Sequence, residues 1–157
     1  MKVKLIVIGK TKSKFLIEGE NEYQRRLKHY CKFSELIIPD IKNGGKLSKK
    51  ELKEKEGNLI LESIKNNDYV VLLDDKGLTL SSTEFAEFLN KKMVSSSNEL
   101  VFIVGGAFGF SESVYKRANT KLSLSKMTFS HQMVRLIFKE QLYRAFTILK
   151  GEKYHHE

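Results

Sequence analysis

Residues Leu122 to Glu157 read LSLSKMTFSHQMVRLIFKEQLYRAFTILKGEKYHHE, and the reading of this stretch decides the fold. It opens with Leu122-Ser-Leu124-Ser, an apolar–polar alternation that predicts a short half-buried strand. A turn over Lys126-Met-Thr-Phe129 leads into His131 to Lys150, the longest helical pattern in the chain, with neither Gly nor Pro inside it. Val134, Phe138, Leu142, Ala145 and Leu149 share one stripe of that helix. Leu136 and Tyr143 fall about 100° or more away at 3.6 residues per turn. A helix apolar on two faces needs its own core and something else to pack against, which predicts a partner chain. Gly151 supplies a stop signal, and the tail Glu-Lys-Tyr-His-His-Glu follows it.

Upstream, strands and helices alternate. Lys2 to Gly9 is Val/Ile/Leu-rich, as a strand covered on both faces would be. A helix is predicted from Ser13 to Tyr30 with Leu16, Tyr23, Leu27 and Tyr30 on one stripe, then a strand from Phe33 to Ile38 ended by Pro39. Residues 40–46 form a loop, and Ser48-x-x-Glu51 is a capping box opening a helix to about Lys65. Gly57 inside that helix costs about 1 kcal/mol relative to Ala, so it marks a close backbone contact. Tyr69 to Leu73 is a third strand, stopped by Asp74-Asp-Lys-Gly77. Ser81-x-x-Glu84 opens a helix with Phe85, Phe88, Leu89 and Met93 inward. A fourth strand, Leu100 to Val104, runs into Gly105-Gly-Ala-Phe-Gly109 and a short helix near Glu112 to Ala118. This alternation predicts an α/β fold: a mostly parallel five-stranded sheet flanked by helices.

The 157 residues suit one domain, and 41% hydrophobic with 30% charged residues is ordinary for a globular chain. No apolar run reaches the roughly 20 residues that span a bilayer. The run Leu5-Ile-Val-Ile8 is too short for a signal sequence, so the cytoplasm is the expected address, with no membrane partner. A single cysteine, Cys31, excludes an internal disulfide and a cysteine-based metal cluster. The four histidines have no metal-site spacing, so no metal is expected. A net charge of +9 and a pI near 9.5 fit either a polyanionic partner or a lysine-rich solvated surface.

Glycines directly after a strand let a ligand approach the backbone, and Gly105, Gly106 and Gly109 stand there. A side chain at Gly105 should then enter the ligand's space. The alternative reading is a tight structural turn. Leu73, Met127 and Phe129 could wall a ligand or simply fill the core. His131, at a helix start, is either a first-turn polar residue or a ligand contact. Arg144 follows Glu140 by four residues, an ordinary ion pair, yet its place near Met133 and Ile137 suits a phosphate or carboxylate. Tyr154 and His155 have too few neighbours in sequence to build a core, so the tail should be mobile.

The strings KVKLIVIGK at the N-terminus, EYQRRL at 22–27, KEKEG at 53–57, VGGAFGF at 104–110 and SLSKMTFSHQMVRLIFKEQLYRAFTILKGEKYHH carry a resemblance over the whole chain. Their order and spacing are similar to the RlmH (YbeA-type) family of SPOUT, or α/β-knot, RNA methyltransferases. Ser130 departs from the proline usual in that family, and His156 from a basic residue. The resemblance implies a single SPOUT domain over residues 1–157, a C-terminal trefoil knot and a homodimer. It implies S-adenosyl-L-methionine bound by Leu73, Gly105, Gly106 and the loop Leu124, Ser125, Lys126, Met127, Thr128 and Phe129. It places the tail residues Tyr154 and His155 at the reaction, with His131 and Arg144 as further catalytic candidates from their own positions, and the reaction it implies is methylation of N3 of a pseudouridine in large-subunit ribosomal RNA within the assembled ribosome. No carboxylate or histidine stands out as a general base, so positioning should do most of the work. The alternatives are a non-enzymatic RNA-binding assembly factor and a SPOUT methyltransferase acting on transfer RNA.

Overall fold

The computed structural model describes residues 1–95 and 98–156. Its first strand, β1 (Lys2–Ile8), turns Val3, Leu5 and Val7 to one core and Ile6 and Ile8 to another. A strand must be apolar on both sides when helices cover both faces of its sheet, which is why β1 lacks clean alternation. After α1 (Lys14–Leu27), strand β2 (Lys32–Ile38) pairs with β1 at one edge. The chain continues through α2 (Lys49–Glu62), β3 (Tyr69–Thr79), α3 (Ser82–Ser95), β4 (Leu100–Val104), α4 (Glu112–Arg117), β5 (Thr120–Ser123) and α5 (Met133–Leu149). All pairings are parallel and the strand order is β2-β1-β4-β3-β5. Leu27 of α1, Phe85 and Leu89 of α3, and Phe138 and Leu142 of α5 fill one core. Ile60 of α2 and Val114 of α4 belong to the other. The carboxyl ends of β1, β3 and β4 therefore meet along one edge, where ligands of parallel sheets gather.

Local signals hold where they rest on backbone chemistry. The Ser48–Glu51 capping box forms in both directions. A Cβ on Gly57 would collide with the Ser111 hydroxyl, so the glycine lets α2 lie against the start of α4. Gly151 takes φ +68°, with Gly151 N donating to Ile148 O at 3.1 Å and Glu152 N to Thr147 O at 2.9 Å. That is a Schellman motif, and it ends α5.

Other expectations are corrected. Strand β3 does not stop at Asp74. Residues 74–77 bulge outward, and Leu78 and Thr79 rejoin the sheet opposite Leu122 and Ser123. The fifth strand lies earlier than its alternation predicts, at Thr120–Ser123 instead of Leu122 to Ser125, because its register is set by β3. Met93 is exposed on the outer side of α3. The second apolar face of α5 is covered from within the chain: Leu136 fills the space above Gly19 of α1, and the Tyr143 ring sits 5.9 Å from that of Tyr23 and 5.7 Å from that of Tyr30. Two apolar faces thus follow from α1 and α3 flanking one helix, and they do not require a second chain.

Candidate functional site

The cavity at the strand ends is built from backbone. Leu73, the last residue of β3 before its bulge, pairs with Val104, the last of β4, so their carbonyl sides open in the same direction. A Cβ on Gly105 would lie 3.1 Å from the Phe110 ring, and one on Gly106 would lie 2.8 Å from both Glu56 carboxylate oxygens. The loop is therefore braced from behind, and it turns main chain to the cavity. A substituent at Gly105 would press on Phe110, which lines the same cavity. Gly109, at φ +86°, donates to Gly106 O at 3.2 Å and closes a tight turn with Ala107 and Phe108 at its tip. Together with the bulge Asp74-Asp75-Lys76 and with Phe129, these groups enclose about 500 Å³. Asp74 accepts a hydrogen bond from the Tyr115 hydroxyl across this opening.

The start of α5 forms the opposite wall. Arg135 is buried, and its guanidinium donates to Ile8 O and Gly9 O, each at 2.7 Å, and to the Thr11 hydroxyl at 3.2 Å. Carbonyls left over at the end of β1 are satisfied in this way, and α5 is pinned to the sheet edge. Ser130 stands in for the missing proline: its hydroxyl accepts from Met133 N at 3.2 Å and its carbonyl from Val134 N at 3.1 Å. His131 follows, lining the cavity two residues before the helix. Burial, with Arg135 and Lys12 nearby, holds its imidazole below the usual histidine value, against the opposing pull of Asp40. The ring is accordingly neutral at pH 7.

Leu73, Gly105, Gly106, Phe129 and His131 share this cavity. Leu124 and Ser125 open instead into a neighbouring one of about 360 Å³, with Leu80, Phe85 and Gln141, and Phe129 is the wall between the two. Lys126, Met127 and Thr128 are exposed and line neither. At the far end of α5 a separate cluster forms. Arg144 pairs with Glu140 at 2.6 Å, contacts His155 Nδ1 at 3.2 Å and lies 4.8 Å from the centre of the Tyr154 ring. The Tyr154 ring packs 4.8 Å from that of Tyr143, and its hydroxyl meets Glu140 at 3.1 Å and Tyr23 at 3.2 Å. Burial, first, and these hydrogen bonds raise the Tyr154 pKa. Contrary to expectation, the tail is held at Tyr154 and His155, which are half-buried against α5, while Glu152, Lys153 and His156 stay exposed. From Met133 to Arg144 α5 rises roughly 16 Å, so one chain does not bring His131 to Arg144, Tyr154 and His155.

Sequence reasoning missed Glu56, the acidic bulge, Tyr115 and Arg135. Glu56 sits one position before Gly57 and four before the buried Ile60, so helical periodicity alone could have found it. Its carboxyl is raised above the ordinary value by burial and then by Asp40. Arg135 carried no signal, since a cation within an apolar arc reads as solvated.

A glycine turn and a cavity at the carboxyl side of parallel strands mark the place where α/β folds bind their ligands. The chain belongs to the SPOUT methyltransferases: the family model described as "Predicted SPOUT methyltransferase" matches residues 1–155. It is 58% identical over 157 residues, all of both chains, to the ribosomal RNA large subunit methyltransferase H of Parabacteroides distasonis. To the protein of that name from Christiangramia forsetii it is 56% identical over 156 residues, 99% of each chain. The solved structure of a probable methylase family protein from Haemophilus influenzae Rd KW20 aligns with 13% identity and a TM-score of 0.51. That alignment covers 95% of this chain and 66% of the other, a likeness of fold. No group of three or more His, Cys, Asp or Glu among the described residues could hold a metal ion, and no helix there is long and apolar enough to cross a membrane.

Proposed function

We propose that this protein transfers the methyl group of S-adenosyl-L-methionine to N3 of a pseudouridine in large-subunit ribosomal RNA, acting in the cytoplasm on the assembled ribosome. The observation that carries this reading is the cavity of about 500 Å³ between the bulge of β3 and the end of β4. Its size falls in the range of cofactor sites, roughly 300–1,000 Å³. Leu73, Val104 and Phe129 offer apolar walls for an adenine. The main chain of Gly105 and Gly106 offers hydrogen-bonding groups with no side chain in front of them. Bound there, the cofactor supplies an electrophilic methyl on a sulfonium.

The chain's own groups then orient and deprotonate. His131, neutral at the rim, can accept the imide proton or a hydrogen bond from the target base. Arg135 fixes where His131 stands. Arg144, Tyr154 and His155 form the second half of the nucleotide site, with the cation near phosphate and the ring against a base. Because they lie roughly 16 Å along α5 from the cavity end, we infer a homodimer in which one chain's tail completes its partner's cavity.

Calorimetric titration with S-adenosyl-L-methionine and mass spectrometry of ribosomal RNA from a strain lacking the gene test the reading. The expected results are one cofactor site per chain and one missing methyl on a large-subunit pseudouridine. A titration without heat, or ribosomal RNA of unchanged mass, would overturn it.

A further inference from the structure

The mouth of the cavity carries an aromatic at each side, and each aromatic has a lysine beside it. Phe108, at the tip of the glycine turn, is 47% exposed, and Lys49 Nζ lies 5.1 Å from its ring centre. Tyr115 is 38% exposed, with Lys121 Nζ 5.6 Å from its ring. Apolar rings do not normally stand out from a loop that a neighbouring helix could cover. Here α2 lies against the loop, with Glu56 at Gly106 and Gly57 at Ser111, and the group it sets over Phe108 is the Lys49 ammonium. The same face of α2 carries Lys53 and Lys49, at helical spacing from Glu56 and Gly57. Neither lysine forms an ion pair among the described residues.

Exposed rings interleaved with free lysines are the arrangement that binds unpaired nucleotides, bases on the rings and phosphates on the cations. The acidic bulge, Asp74 and Asp75, lines the cavity with both rings, and Asp74 accepts from the Tyr115 hydroxyl. Carboxylates there repel phosphate, so a strand crossing the mouth keeps its backbone over the lysines and can turn only a base inward. The geometry points to a single-stranded RNA track across the mouth, in which Phe108 stacks a nucleotide next to the target and Lys49 and Lys53 hold its phosphates. Phe108, half-exposed at the rim of the cofactor cavity, is thereby a positioning residue for the RNA substrate. This rests on the methyltransferase reading for its biological role, but its test does not.

The test measures equilibrium binding of ribosomes from a strain lacking the gene, without cofactor, over a salt series, and separately titrates each variant with S-adenosyl-L-methionine. Phe108→Ala should weaken ribosome binding about tenfold and leave cofactor affinity within about twofold, while Phe108→Tyr should restore ribosome binding. Lys49→Gln with Lys53→Gln should lower the log–log salt slope by about 2, one for each phosphate that is no longer neutralised. Unchanged ribosome binding by Phe108→Ala would overturn the track. So would a loss confined to cofactor affinity, which would place the ring in the cofactor site. If the unsubstituted protein binds no cofactor, the methyltransferase reading fails alone, and ribosome binding still decides the track.

Discussion

The Lys139 ammonium of α5 sits 3.0 Å from the Glu20 carboxylate of α1, and the two side chains are 1% and 6% exposed. Glu35 of β2 lies 2.6 Å from the same nitrogen, so one buried cation ties a helix and an edge strand to α5. Removing one member of such a group leaves the others buried and uncompensated. Lys139→Ala should therefore cost about 3–5 kcal/mol in urea unfolding. Lys139→Met combined with Glu20→Gln and Glu35→Gln should recover most of that loss. A single substitution that costs under about 1 kcal/mol would show that the ions are solvated in solution.

Gly77, in the bulge of β3, has the Leu122 nitrogen 2.6 Å from where its Cβ would be, with Lys121 C at 2.7 Å. These are backbone atoms of β5 and cannot swing aside. Gly77→Ala should destabilise by about 1–3 kcal/mol or more, since overpacking here pushes two strands apart. Gly45 has nothing within 4 Å of its Cβ position, and Gly45→Ala should be nearly neutral. Thermal unfolding of the pair measures the contrast.

The frame was legible where one residue type has one reason to be present. The Leu100–Val104 strand, the Ser48–Glu51 box and the Gly151 stop each state a backbone requirement, and each appears at its expected place. The glycine turn after β4 was legible for the same reason. What stayed hidden depends on contacts between distant elements. Asp74-Asp-Lys-Gly77 has turn composition, yet β5 recaptures the strand beyond it, and no local pattern encodes that. Arg135 and Lys139 are polar by type and buried by partnership with Gly9, Glu20 and Glu35. Tyr154 looked like a loose end because its partners, Tyr23 and Glu140, lie far upstream in the chain or on the preceding helix.

Glu56 supplies a pH signature. Its folded carboxyl binds protons more tightly than the ordinary value of 4.5, because burial and Asp40 disfavour the charge. Between those two values the folded chain holds more protons than the unfolded one, so stability falls as pH rises through the window. Glu56→Gln should abolish that slope and raise the urea midpoint at about pH 8, with little change at about pH 4. An equal shift at both pH values would assign the gain to packing against Gly106 instead of charge.

His131 and Tyr154 give the last prediction. They stand at opposite ends of α5, and a methyl-transfer site that needs both must take them from two chains. Deleting 154–157 should leave cofactor binding intact and reduce methyl transfer to ribosomes at least tenfold, about 1.4 kcal/mol of transition-state stabilisation. It should also cost about 1–2 kcal/mol of stability, because the Tyr154 ring and hydroxyl are packed on Tyr143, Tyr23 and Glu140. The decisive measurement mixes two defective chains, His131→Ala and Tyr154→Ala, refolded together in equal amounts. In a mixed dimer one site receives both substitutions and the other receives neither. Half of the dimers should be mixed, so activity should return to about a quarter of the parent's, well above either variant alone. If His131 and Tyr154 act within one chain, or act independently, mixing restores nothing, and the shared site is excluded.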